Sequence, residues 1–312
     1  MVRFTITPDG AERLLFPPLE RALVTAIACE TVAETKQPLS RQSVSDLTRR
    51  VNEVLSEPMS RTTVWRILHD DLLKPWQYEH WIFPRDPQFG AKAGPILDLY
   101  AGVWKGKPLG PKDYVLCSDE KTSIQARRRE HDETPPRPGR PRRVEPRYKR
   151  GGALQYLAIW DVHRGIILGR CEAKTGIEPF GRLIDQLLLR SPYADAKRLF
   201  LIVDNGSSHR GQVSIRRMKK RDRRIHLLHT PLHASWLNQV EIYFSILQRK
   251  VLTPNDFPNL AAVESRLKLY EELSNRTPKP FQWKFTRQKM EHWLQRIQPH
   301  LAAEAASTEG AS

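Results

Sequence analysis

This chain has no long apolar run: nothing in it approaches the roughly 18 consecutive apolar residues of a membrane-spanning helix. The N-terminus, MVRFTITPDGAERLLF, also lacks the continuous apolar segment and small-residue cleavage site of a secretory signal. Both absences predict a cytosolic protein with no membrane partner. Cysteine is scarce. Cys29, Cys117 and Cys171 have no metal-ligand spacing, and an odd number of them argues against a disulfide framework. They read as small core residues. Acid is the third shortage, with 35 Asp and Glu against 51 Lys and Arg, a net charge of +16 and a pI near 10.0.

Such a surplus suggests a polyanionic partner, and its distribution favours nucleic acid over a generally solvated surface. Residues 121–150 hold 11 basic and 4 acidic residues with five prolines, and RRMKKRDRR (216–224) has seven basic residues to one acid. The charge is therefore clustered.

At 312 residues the chain is long enough for two domains. After a tail at 1–20, residues 21–80 read as helical. ERALVTAIACETVAE predicts one helix. SRQSVSDLTRRVNEVL predicts a second, with Ser40 as N-cap and Val44, Leu47, Val51 and Val54 inward. A turn at Pro58 and a new cap at Ser60 open a third, with Val64, Leu68 and Leu72 inward. Short helices joined by a tight turn form a helix-turn-helix pattern, whose last helix would offer Arg61, Thr62 and Arg66 to a DNA groove. Many small helical bundles read the same way. Trp65, Trp76 and Trp81 read as core and linker packing.

Residues 81–112 read as a linker, marked by Pro84 and Pro87, and a connecting helix. From 113 the pattern turns to strands. DYVLCSDE reads as a strand ending at Asp119, LQYLAIWD and GIILGRCEA as two more, then a helix, the strand RLFLIVDN, a basic helix, the strand IHLLHTP and the helix WLNQVEIYFSILQRKVL. Three strands, helix, strand, helix, strand, helix is the order of the ribonuclease H-like fold, an α/β domain with a mixed five-stranded sheet. It is assigned to 113–298, with a tail at 299–312. The stretch 127–150 has too few apolar residues to pack and reads as a long basic loop. It offers Arg127, Arg128, Arg129, Arg142, Arg143, Lys149 and Arg150 to DNA. The basic helix adds Arg216, Arg217, Lys219 and Lys220.

Asp204 ends a run of buried-strand character, where a carboxylate is costly without compensation. In the ribonuclease H-like order the strands carrying Asp119 and Asp204 are neighbours. Glu241 lies at the edge of the buried stripe Leu237, Val240, Phe244, Leu247 and Val251, and Asn238 and Ser245 share its side of the helix. Three hard oxygen ligands suit Mg2+ or Mn2+ rather than zinc. Two such ions, about 3.5 to 4 Å apart, activate a nucleophile and stabilise a leaving oxygen in phosphodiester displacement. The bland alternative is a turn at Asp204-Asn205-Gly206 and a solvated Glu241. A zinc site at His226, His229 and His233 is disfavoured, since the first two point to opposite faces of a strand.

The segments CSDEKTSIQA (117–126), LIVDNGSSHR (201–210) and HTPLHASWLNQVEIYFSILQRKVL (229–252) resemble those of the bacterial insertion-sequence branch of the mariner-like DDE transposases. The resemblance covers roughly residues 20–295, and WIFPRD stands where that family carries its interdomain linker. It implies that Asp119, Asp204 and Glu241 are catalytic and hold two divalent ions. It further implies hydrolysis at transposon ends and attack of the freed 3′-OH on target DNA, typically at TA. Asn205, His209 and Asn238 match recurrent neighbouring positions and are assigned supporting roles. The partners implied are double-stranded DNA, as terminal inverted repeats and as target, and a second copy in a homodimer, in the nucleoid-bearing cytoplasm of a bacterium. By placement only, 127–150 resembles the loop by which mariner-type subunits clasp one another. The family usually carries a further DNA-binding module before the one seen here, and only about 20 residues precede Arg21. A catalytically inactive or N-terminally truncated DNA-binding derivative therefore stays open, as does a ribonuclease H-like nuclease or resolvase without strand transfer.

Overall fold

The computed structural model describes residues 16–35, 38–78, 83–206 and 211–309. It divides into two units, Met1–Ile82 and Phe83–Ser312.

The first unit is all-α: α1 (Pro18–Cys29), α2 (Val32–Thr35), α3 (Val44–Val54) and α4 (Arg61–Asp70). The single helix expected over ERALVTAIACETVAE is broken at Glu30, whose backbone is extended. Thr31 restarts it, because its N–H and its hydroxyl both donate to Glu34 at 2.7 and 2.8 Å. Ser43, not Ser40, caps α3. Asp46 N–H donates to the Ser43 hydroxyl and Ser43 N–H donates to the Asp46 carboxylate, a reciprocal pair at 3.2 and 3.1 Å.

Leu47 and Val51 are buried, but Val54, in the last turn, is 64% exposed. The turn into α4 is held by Asn52, whose amide donates to Met59 O and whose carbonyl accepts from Met59 N–H. Ser60 caps α4 as expected, accepting from Thr63 N–H at 3.1 Å. Val64 and Leu68 point inward, whereas Leu72 falls beyond the helix end with φ 56 and is 83% exposed. Trp76 packs against this core; Trp65 is exposed and lies against the His69 ring. Cys29 is also exposed, not in the core. Trp81 lies outside the described residues.

The second unit opens with α5 (Phe89–Tyr100) and a short hairpin, β1 (Val103–Trp104) and β2 (Lys107–Pro108). The main elements follow: β3 (Asp113–Arg128), β4 (Lys149–Asp161), β5 (Ile166–Glu172), α6 (Ile177–Leu188), β6 (Arg198–Val203), α7 (Gly211–Arg221), β7 (Ile225–His229), α8 (Val240–Lys250), α9 (Leu260–Arg276) and α10 (Arg287–Glu309). The sheet order is β5-β4-β3-β6-β7. The pairs β5/β4 and β4/β3 are antiparallel and the pairs β3/β6 and β6/β7 parallel, so this is the mixed ribonuclease H-like sheet.

Both faces are covered, and the strand period of two sorts the side chains. Val115, Cys117, Phe200 and Ile202 join the core that includes Tyr243, Phe244 and Leu247 of α8. Leu116, Leu199, Leu201 and Val203 join the opposite core, with Phe180, Leu183 and Leu187 of α6.

Boundaries in the second unit differ from the sequence reading. The strand β3 does not stop at Asp119 but runs to Arg128, past a register shift after Lys121 where Ser123 takes φ 56. Consequently Arg127 and Arg128 belong to β3 and Lys149 and Arg150 to β4, and the loop shortens to 129–148. The helix α10 continues through Pro299 to Glu309, where a tail was expected. No helix among the described residues is long and apolar enough to cross a membrane.

Candidate active site

The site is set by register. Asp113 pairs with Arg198 and, step by step, Cys117 with Ile202 in the parallel ladder between β3 and β6. Two further steps place Asp119 beside Asp204, just past the end of β6. By parity both lie on the sheet face covered by α8. The ladder is pinned at its far end, where the Arg198 guanidinium grips Asp113 with two N–H groups, one at 2.8 Å. That grip holds the Asp113 carboxyl below its ordinary range. Patterns of hydrophobicity could not reveal this pairing of Asp113 with Arg198.

Asp119 is 8% exposed. Burial, foremost, then the charge of Asp204 and after it those of Glu241 and Glu120 push its carboxyl up to about 8, against the pull of the Glu120 N–H it accepts at 2.7 Å. Asp204 and Glu241 are half-buried. Asp204 accepts from Gly206 N–H at 2.8 Å, which turns the chain sharply after β6. Lys121 shares Asp119's strand; burial lowers its ammonium and the charge of Glu241 raises it.

Asn205 and Asn238 tie the surrounding backbone together. The Asn205 amide donates to Thr230 O at 2.7 Å, joining the segments that follow β6 and β7. Asn238 is fully buried and precedes α8 rather than lying on it; its amide donates to Ser118 O at 2.9 Å, one residue from Asp119. That bond fixes the start of the helix bearing Glu241 against β3. The side-chain Oδ1 of Asn238 and both side-chain polar atoms of the buried Gln239 lack protein partners among the described residues. His209 lies outside the described residues.

Asp86, in WIFPRD, was missed as a site residue. It is 4% exposed and accepts from Lys92 Nζ at 2.7 Å, Gln88 N–H at 2.9 Å and Leu232 N–H at 2.9 Å. It anchors the segment leading from β7 to Asn238 and Glu241. Tyr100 anchors the same segment, donating to Leu237 O at 2.7 Å. Residues 81 and 82 of that motif lie outside the described residues.

Three carboxylates without soft donors fit a hard divalent cation, and the raised Asp119 marks negative charge that such a cation would neutralise. Among the described residues no group of three or more His, Cys, Asp or Glu is drawn up at ligand distance. Mutual repulsion opposes that closure unless a cation offsets it. For the three histidines, His229 instead lies 3.3 Å from the Ser214 hydroxyl.

The proposed DNA contacts fall into distinct settings. Arg61, Thr62 and Arg66 are exposed on α4. Arg216, Lys219 and Lys220 are exposed on α7, with Arg217 half-buried beside them. At the outer ends of β3 and β4 and in the loop between them Arg128, Arg143 and Arg150 are exposed; Arg127 stacks over Tyr148 at 4.6 Å, and Arg129 is half-buried. Arg142 pairs with Glu133 at 3.5 Å and Lys149 with Glu130 at 2.5 Å.

The mixed five-stranded sheet with its helices is a ribonuclease H-like DDE fold. Residues 114–264 match the DDE superfamily endonuclease family, and all three carboxylates lie within that match. The solved Mos1 mariner paired-end complex with Mn is similar in structure, at 14% identity over 95% of this chain and 82% of that one, with a TM-score of 0.53. The corresponding complex with Mg gives 13%, 94%, 82% and 0.54. The Mos1 strand transfer complex gives 14%, 91%, 79% and 0.51. At these identities the likeness is one of fold. No curated protein matches the chain.

Proposed function

We propose that this protein is a transposase, cutting DNA at transposon ends and joining the freed 3′-OH to target DNA, at TA as the mariner-like resemblance implies. The observation that carries this reading is the parallel register that brings Asp119 of β3 beside Asp204, with the Asn238 bond to Ser118 O holding the start of the Glu241 helix against β3. The similar structures support it, being Mos1 complexes with paired ends, with Mn or Mg, and after strand transfer.

Asp119, Asp204 and Glu241 would hold two divalent ions, Mg2+ or Mn2+. When bound, these supply an activated water or 3′-OH and a stabilised leaving oxygen. Asn238 and Asn205 keep the carboxylate-bearing backbones in place. The exposed arginines and lysines of α4, α7 and the β3–β4 excursion bind phosphate. Two ends must be held together before joining, which favours a homodimer on DNA.

The test is a cleavage and joining assay on labelled duplex carrying the element's end, with Mg2+ or Mn2+. Wild type should cleave and join. Asp119→Ala, Asp204→Ala and Glu241→Ala should do neither, yet bind DNA within about threefold of wild type, because phosphate contacts lie elsewhere. Binding without cleavage under either metal would refute the proposal in favour of an inactive DNA-binding protein. Cleavage without joining would leave a nuclease.

A further inference from the structure

Between β3 and β4 the chain leaves the sheet and returns in one register. Arg127 pairs with Arg150 and Arg128 with Lys149 in the sheet; farther out Thr134 bridges Arg143 and Arg137 bridges Arg140. All four pairs are symmetric about Pro138-Gly139, so the excursion is a single long hairpin with that dipeptide as its tip. The tip is closed by Arg137 N–H to Arg140 O at 3.0 Å and Arg140 N–H to Arg137 O at 2.9 Å. Gly139, at φ +73 after a proline, suits the third position of a type II turn.

The outer ten residues, TPPRPGRPRR (134–143), contain four arginines, four prolines and no acid, and all are exposed. The base of the hairpin holds the ion pairs, through Glu130, Glu133 and Glu145. Among the described residues no carboxylate is paired with Arg137, Arg140 or Arg143.

We propose that this ribbon enters the minor groove of A·T-rich duplex DNA, with Arg137 and Arg140 reaching its floor. The inference rests on the reading of the protein as one that acts on DNA. It adds a groove, a base composition and two residues. Four observations support it. The tip has no aromatic or branched aliphatic side chain to obstruct a groove only about 6 Å wide. Its prolines restrict the free ribbon, which lowers the entropy lost on insertion. Its unpaired arginines match the enhanced negative potential of narrow A·T minor grooves. Finally, a second copy of the chain, itself at +16, is a poor electrostatic partner for an acid-free arginine tip.

The test is equilibrium binding in EDTA, where no cleavage intervenes, to A·T-rich, G·C-rich and I·C-rich duplexes without transposon ends. Wild type should bind the A·T duplex roughly tenfold more tightly than the G·C duplex. Inosine, which lacks the minor-groove amino group of guanine but keeps its major-groove face, should restore tight binding, and a minor-groove drug should compete. Arg137→Ala with Arg140→Ala should abolish the preference, weakening binding to the A·T and I·C duplexes more than to the G·C duplex, which loses only the phosphate attraction of two charges. The Lys pair at the same positions should recover that common binding more than the preference.

Equal wild-type affinity for A·T and G·C duplexes would overturn the proposal. So would G·C-like binding of the I·C duplex, or an unchanged preference in the Ala pair. Loss of self-association in the Ala pair with its DNA preference intact would assign the ribbon to a second copy. A protein that cleaves and joins but shows no preference sinks this inference alone. One that shows the preference but never cleaves sinks only the transposase reading.

Discussion

Replacing Glu271 by Gln should remove a pH dependence of stability from the second unit. Glu271 lies on α9 with its side chain 15% exposed and accepts from Gly169 N–H of β5 at 3.0 Å and from the Tyr156 hydroxyl of β4 at 3.4 Å. Burial is the largest influence and raises its carboxyl from 4.5 to about 7, although Gly169 N–H, Arg190 and Tyr156 all favour the charged form. A raised acid binds its proton more tightly in the folded chain. Its stabilisation is therefore full below the unfolded value of 4.5 and is lost as pH rises towards 7.

At about 1.4 kcal/mol per pH unit, the whole interval is worth about 3 kcal/mol. Glutamine keeps an oxygen to accept the same two bonds and carries no charge. In urea unfolding followed through the second unit, the variant and wild type should match near pH 4.5 and separate as pH rises, until the variant is more stable by about 2 to 3 kcal/mol at pH 8. A difference that stays constant from about pH 4.5 to 8, or a variant less stable at the upper end, would refute the reasoning.

Two further outcomes follow from packing near the sheet. Asp86→Ala strips the acceptor from Gln88 and Leu232 N–H, so melting should report a loss of about 2 to 4 kcal/mol, with joining activity reduced because the approach to Glu241 loosens; unchanged melting and activity would remove Asp86 from the positioning role. Gly169→Ala would place a Cβ 2.1 Å from the Tyr156 hydroxyl and 2.3 Å from its ring, a clash expected to cost about 2 to 3 kcal/mol. Adding Tyr156→Val should make the double variant less damaged than the two single costs together, and simple additivity would argue against the clash.

Much of this protein is local enough to be legible in one dimension. Short continuous apolar runs and their order gave away the sheet, because strands buried on both faces must be almost wholly apolar. The stripe from Leu237 to Val251 is buried throughout, and Ser60 caps α4. Boundaries were less legible where two signals competed. Ser40 and Ser43 are the same residue type, and only Ser43 has an acid three residues on to close the capping box. Past Asp119 the apolar pattern stops, yet β3 continues because β4 supplies a pairing partner from Glu120↔Leu157 out to Arg128↔Lys149.

The sequence by itself determined the element order and the clustering of positive charge. Those follow from side-chain chemistry and short-range periodicity. Only the tertiary structure decided that Asp119 is buried with Asp204 two ladder steps past Cys117↔Ile202, and that Arg198 grips Asp113 at the far end of that ladder. It likewise decided that Asp86 holds the path to α8, and that the basic excursion is a hairpin in register with the sheet. Each of these joins residues far apart along the chain. Their energies come from burial and from charges and donors brought within a few ångströms, which no pattern along the sequence encodes.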